Sequence, residues 1–170
     1  MIETARLKLI SFTDDIANAM FESDQAFAKA ISAAFPHNWS EERLAIETFY
    51  KDTKDDKENI GWGAYLIILT EENKLIGCCG FKGKPNDSIV EIGYEIHIDY
   101  RKRGFAKEAA KALTDFAFKH PQVHKVVAHT LAQENPSTAI LKKLGFIFMK
   151  QITDPEDGEI WQWQYNCKKQ

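Results

Sequence analysis

The sequence predicts an α/β (α+β) fold, a mixed sheet with helices on its faces. Three observations carry this. Residues 89–98 alternate Ile92, Tyr94, Ile96 and Ile98 against Glu91, Gly93, Glu95 and His97, the period of a strand with one apolar side. The period then changes to 3.6, with Ala106, Ala109, Ala110, Leu113, Phe116 and Ala117 on one helical face until Pro121 stops it. The order of patterns completes the case: helices early, a meander, then strand, helix, strand, helix and two strands.

Leu7-Lys8-Leu9-Ile10 reads as a first strand, and Thr13-Asp14-Asp15 offers N-cap chemistry to a helical region that the pattern extends through Ala34. Pro36 ends it. Ser40 is then expected to cap a helix carrying Leu44, Ala45, Thr48 and Phe49, and the polar stretch 51–59 is expected to be a flexible loop. Residues 64–70 and 74–81 read as strands joined by Glu71-Glu72-Asn73, and Gly83, Pro85 and Asn86 mark the next turn. After the central strand and helix, residues 123–131 read as a strand. Asn135-Pro136 supplies an N-cap with proline at the first helical position, and Gly145 supplies the C-cap. Residues 146–150 and 159–165 form a last pair of strands around Asp154-Pro155-Glu156-Asp157-Gly158.

A chain of 170 residues with 44% apolar and 28% charged residues is expected to form one soluble domain spanning 1–170. The net charge of −3 argues against nucleic acid as a partner, so any anion site has to be local. The longest aliphatic run, residues 64–69, is far below the roughly 20 residues that cross a bilayer, and no membrane segment is expected. Three cysteines, two of them adjacent, and an N-terminus without a secretory pattern point to a cytoplasmic location. The five histidines show no metal-ligand spacing, so no metal is expected, and Cys78 and Cys79 read as buried strand residues.

The segment richest in chemistry is Tyr100-Arg101-Lys102-Arg103-Gly104-Phe105-Ala106, where the strand passes into the helix. The first turn of a helix presents unpaired N–H groups, and a glycine beside it lets a phosphate approach the backbone. Taken by itself, Arg-x-x-Gly-x-Ala is equally well a solvated basic turn. No Walker-type loop is present, and Gly61-Trp62-Gly63 lacks both the third glycine and the preceding strand of a dinucleotide fingerprint.

In its setting, Arg101-x-x-Gly104-x-Ala106 resembles the acetyl-CoA pyrophosphate motif of the GNAT superfamily of N-acetyltransferases. Glu91-Ile92-Gly93-Tyr94-Glu95-Ile96 upstream, and Asn135-Pro136-Ser137 with Lys143-Leu144-Gly145-Phe146 downstream, are similar to that family as well. The nearest branch is that of the ribosomal-protein alpha-N-acetyltransferases. There the Asn commonly lies three residues before the Ser, a place held here by Glu134. The resemblance implies a mostly antiparallel central sheet with helices on both faces, and acetyl-CoA as co-substrate. It implies a pantetheine arm against backbone groups of Ile96, His97 and Ile98, and a pyrophosphate on the N–H groups of Arg103, Gly104, Phe105, Ala106 and Lys107. Arg101 and Arg103 assist or face solvent, and Asn135 and Ser137 lie near the pantetheine arm or thioester.

An amine must be neutral to attack a thioester, and its pKa of about 8–10 makes a base or a water relay useful. Glu91 is the expected base, with Glu95 as the alternative, and either carboxylate is also explicable as a solvated strand residue. Ser137 is the expected proton donor to the thiolate, because Lys142 stands where many members of the family carry a tyrosine. The acceptor expected is a primary amine on a peptide N-terminus or a small molecule, attracted by Glu41, Glu42, Glu47, Asp52, Asp55 and Asp56. The alternatives are an acyl-CoA-binding regulatory module and a domain that binds no cofactor. A homodimer is compatible with all three.

Overall fold

The structure, a computed structural model, describes residues 1–167. Two strands, β1 (Ile2–Glu3) and β2 (Leu7–Ser11), precede three helices, α1 (Asp14–Glu22), α2 (Asp24–Ile31) and α3 (Ser40–Thr53). The meander β3 (Ala64–Leu69), β4 (Lys74–Phe81) and β5 (Ile89–Ile96) leads through a 3-10 turn at Ile98–Tyr100 into α4 (Phe105–Phe118). Then come β6 (Lys125–Leu131), α5 (Pro136–Leu144), β7 (Ile147–Asp154) and β8 (Gly158–Asn166). The sheet order is β1-β2-β3-β4-β5-β6-β8-β7. Every neighbouring pair is antiparallel except β5 and β6.

Helices cover both faces, which is why β3 is buried along its whole length although its sequence hardly alternates. On one face Met20, Phe27, Ile31, Ile46 and Phe49 pack on Leu66, Ile68 and Cys78. On the other, Phe105, Ala109, Ala110, Leu113 and Ala117 of α4 pack on Ile67, Ile76, Ile92 and Ile96. Cys78 and Cys79 point to opposite faces and both lie in the core.

The expected early helix is two helices. Ser23 is extended and accepts a hydrogen bond from the Ala26 N–H at 3.1 Å, so it restarts the helix as an N-cap. The second helix ends at Ser32 in a left-handed conformation, four residues before Pro36. Ser40 is the first residue of α3 and not its cap: that place belongs to Trp39, whose ring stacks on Phe27 at 4.9 Å. Packing positions this helix start without a side-chain cap. Residues 51–59 are more ordered than their polarity suggests, because α3 continues to Thr53, and Asn59, in a 3-10 turn, accepts from the Lys84 N–H at 2.7 Å.

Gly77 of β4 is required by close approach. A Cβ there would stand 2.2 Å from the Glu95 carbonyl oxygen and 3.0 Å from the Ile96 Cα, both backbone atoms of β5. Gly77→Ala is therefore expected to destabilise the fold by about 1–3 kcal/mol or more, read as a lower urea midpoint at unchanged slope.

Candidate active site

The parallel ladder between β5 and β6 joins only residues 89–91 to 125–127. Beyond it β5 continues to Ile96 on β4, and β6 continues to Leu131 on β8, with no further pairing between them among the described residues. The strands diverge, and a cleft of about 620 Å³ opens where the ladder ends. Glu91, Gly93 and Glu95 of β5, His129 of β6, and Asn135 and Ser137 at the start of α5 line it, with Arg101 at one end.

Glu91 is tied on both sides, its Oε1 lying 2.8 Å from Lys82 Nζ and 2.9 Å from His129 Nδ1. Burial by itself would push this carboxyl up, but the bonds from His129 and Lys82 outweigh it and hold the carboxyl below the usual range. Burial would likewise lower Lys82, and the contact with Glu91 outweighs that and raises it. Glu95 accepts from Arg101 Nη2 at 2.8 Å, so its carboxylate is neutralised in a different way.

The strand ends earlier than its alternation predicts. His97 turns inward, 4% exposed, while Ile98 is 67% exposed. The reason is hydrogen bonding: the His97 ring accepts from the Asp99 N–H at Nδ1, 3.3 Å, and donates from Nε2 to the Asn38 carbonyl at 2.9 Å. Its backbone N–H goes to Ile76 at 2.8 Å. His97 thus anchors the turn from the far side. The Ile96 carbonyl, where the pantetheine arm is expected, accepts from Arg101 Nε at 2.8 Å.

The turn into α4 has Lys102 at φ 63° and Gly104 at φ 84°. Gly104 is the N-cap residue of α4 and supplies no side-chain cap. The first helical N–H groups, on Phe105, Ala106 and Lys107, are those an α-helix leaves without an internal acceptor. The Phe105 ring is buried, Arg103 lies over it at 5.0 Å, and Arg6 lies over it at 4.4 Å. Arg6 also donates to the Arg103 carbonyl at 3.1 Å and pairs with Glu108 at 2.7 Å, which clamps the turn from the residue just before β2. Arg101 therefore faces the cleft and Arg103 the turn. A second groove of about 420 Å³ begins at Lys107 and includes Lys111 and Lys143.

At α5 the capping box belongs to Asn135 and Thr138: Asn135 Oδ1 accepts from the Thr138 N–H, and Thr138 Oγ1 accepts from the Asn135 N–H, each at 3.0 Å. The Asn135 side chain is thereby engaged, while Ser137 is left out of the capping box, on the cleft. Beside it the Tyr94 hydroxyl is enclosed without a hydrogen-bonded partner. Burial pushes Tyr94 up to about 12, and the neighbouring Ser137 only partly offsets this. Lys142 pairs with Glu134.

A cleft between two diverging strands, followed in the chain by a glycine turn and a helix start without a side-chain cap, fits a long phosphorylated thioester. Residues 6–147 match the family model for the acetyltransferase (GNAT) domain. The chain belongs to the GNAT acetyltransferase family. It is 25% identical to the uncharacterized N-acetyltransferase YjdG of Bacillus subtilis, over 99% of each chain. Among solved structures it is similar to RimL, a ribosomal-protein alpha-N-acetyltransferase, in complex with coenzyme A, with a TM-score of 0.63 and 14% identity over 96% of this chain and 95% of that one. It is also similar to a chimera of the spermidine N-acetyltransferase SpeG of Vibrio cholerae, with a TM-score of 0.64 and 13% identity over 95% and 96% of the two chains.

Among the described residues no helix is long and apolar enough to cross a membrane, and no three of His, Cys, Asp and Glu gather as a metal site. The sequence reading missed His129, Lys82, Arg6 and Tyr94. His129 carried a signal, since it lies two residues beyond Val127, the register partner of Glu91, and so on the same face of the sheet. That signal needs the register of β5 on β6, which periodicity does not contain.

Proposed function

We propose that this GNAT N-acetyltransferase moves an acetyl group directly from acetyl-CoA to a primary amine in the cleft between β5 and β6. The observation that carries this is the cleft that opens where β5 and β6 part, lined at Arg101, four residues before the uncapped start of α4. The N–H groups of Phe105, Ala106 and Lys107 would hold the pyrophosphate, because an anion there meets both free donors and the positive end of the helix. Lys107, Lys111 and Lys143 add positive charge along the neighbouring groove. The thioester supplies the acyl group and a good leaving thiolate; the chain's residues orient it and move protons. The Ile96 carbonyl accepts from Arg101 Nε and keeps a second lone pair for the pantetheine arm, while Arg101 Nη2 holds Glu95. Glu91 would serve the base step, directly, through water or through the histidine it holds, and Ser137 with Tyr94 beside it would serve the departing thiolate.

The acceptor proposed is the α-amine of a peptide or a small-molecule amine, supported by the similarity to RimL and SpeG. The acidic residues offer narrower support than their number implies. Glu42 is buried, Glu47 pairs with Arg43 and Asp56 pairs with Lys84, which leaves Glu41, Asp52 and Asp55; of these Glu41 pairs with Arg101 on the cleft, and Asp52 acts on the cleft residue Lys82.

Calorimetry with acetyl-CoA, followed by thiol release with peptides of free and blocked N-terminus, polyamines and amino sugars, tests the proposal. Turnover of a free α-amine or a small amine is the expected result. Tight acetyl-CoA binding without turnover of any amine would instead favour an acyl-CoA-binding regulatory module. Acetylation confined to an internal lysine of the blocked peptide would overturn the acceptor class.

A further inference from the structure

The His129 ring is held at both nitrogens. Nδ1 lies 2.9 Å from Glu91 Oε1, and Nε2 lies 3.2 Å from Gln162 Nε2. An amide nitrogen only donates, so Nε2 carries the lone pair and the ring proton sits on Nδ1, pointing at the carboxylate. The ring lines the cleft. Its polar and charged neighbours are Glu91 on β5, Lys82 beyond β4, Gln162 on β8, and Asp154 and Asp157 at the turn between β7 and β8. A half-turn of the Gln162 amide would present its oxygen to a protonated Nε2. Both protonation states of the ring are therefore accommodated without moving the backbone.

We infer that the proton acceptor of this site is the His129 imidazole at Nε2, and that Glu91 is the positioning carboxylate that fixes its tautomer; this rests on the acetyl-transfer reading above. A carboxylate bonded to Lys82 and His129 is a weak base, and every pK unit that separates it from the amine costs a factor of ten. A neutral imidazole with its lone pair at Nε2 can take a proton directly, and histidine is the side chain most often used as a general base. Once the Gln162 amide turns off Nε2, the acceptor ammonium gives one proton to that nitrogen, directly or through one water, and the freed amine lone pair attacks the thioester carbon. The C–S bond breaks as the C–N bond completes. The second proton lost from nitrogen ends on the departing thiolate, and the proton on His129 passes to solvent.

The first test is NMR of the ring nitrogens of the full chain labelled with 15N-histidine, from pH 5 to 9, in wild type and Glu91→Gln. The expected result is a wild-type His129 protonated at Nδ1 when neutral and gaining a proton at Nε2 reversibly, with the tautomer preference weakened in Glu91→Gln. A neutral ring protonated at Nε2, or one that does not titrate in this range, overturns the inference. The second test is the pH dependence of kcat/KM with a short peptide bearing a free α-amine. His129→Gln and His129→Asn are each expected to lose about 100-fold or more and to lose the acid limb seen in wild type, at unchanged acetyl-CoA affinity. Full activity with the acid limb intact in either variant overturns the inference and leaves the acetyl-transfer reading standing. A wild type that turns over no amine removes that reading, and the catalytic role with it.

Discussion

Gly104→Val is expected to abolish measurable acetyl-CoA binding while the chain still folds. Gly104 holds φ 84° at the N-cap of α4, where an L residue costs about 1–2 kcal/mol and a β-branched one more. A fold typically stable by about 5–15 kcal/mol tolerates that cost, and a Cβ would meet only Arg6 Nη2, at an ordinary 3.5 Å. The valine therefore either stands over the N–H groups of α4 or twists the turn so that they no longer converge. Losing two hydrogen bonds to a charged phosphate, at about 1.5–3 kcal/mol each, weakens binding by roughly 100-fold or more. Calorimetry reads the loss, and circular dichroism checks the fold. Unchanged affinity in a folded variant would remove the pyrophosphate from this turn. Arg101→Ala should change affinity less, by about tenfold at most, since its guanidinium is engaged with Ile96, Glu95 and Glu41 and not with the helix start.

Glu91→Gln is expected to lower kcat by about 10²–10⁴ with acetyl-CoA affinity nearly unchanged. Glutamine keeps an oxygen that can accept from His129 Nδ1 but removes the negative charge, and it can also present its NH₂ to the ring and favour the other tautomer. Lys82 loses its charged partner at the same time. If proton removal is the lost step, the deficit shrinks as pH rises and the acceptor amine becomes neutral unaided. A deficit equal at every pH would assign Glu91 to architecture. The carboxyl also contributes to stability, and the sign follows from its lowered position. The contribution is present above the unfolded-state pKa of about 4.3 and is lost as pH falls through the lower folded value. Urea unfolding of wild type and variant should therefore differ at pH 7 and converge in acid.

Local pattern was sufficient for the central strand as far as Ile96, for α4 and the glycine turn before it, and for the Asn135-Pro136 and Gly145 ends of α5, because each is written in residues a few positions apart: alternation, helical spacing, caps and left-handed glycines. The family followed from the order of these elements around one motif. Local pattern was insufficient wherever a distant contact outweighs it. Stacking of Trp39 on Phe27 starts α3 in place of a Ser40 cap. Bonds from His97 to Ile76 and Asn38 turn a residue placed on the polar side of the strand inward. Thr138 takes the capping bond that Ser137 could have made, and so leaves Ser137 to the cleft. The pairing of Glu91 with His129 spans 38 positions and exists because β5 and β6 run parallel for three register pairs before they part. Which residues face one another across a parallel crossover depends on register, and register is set by packing of the whole sheet. The chemistry of Glu91 was therefore decided only in the tertiary structure, where its neighbours hold it ionised and give it a histidine to orient.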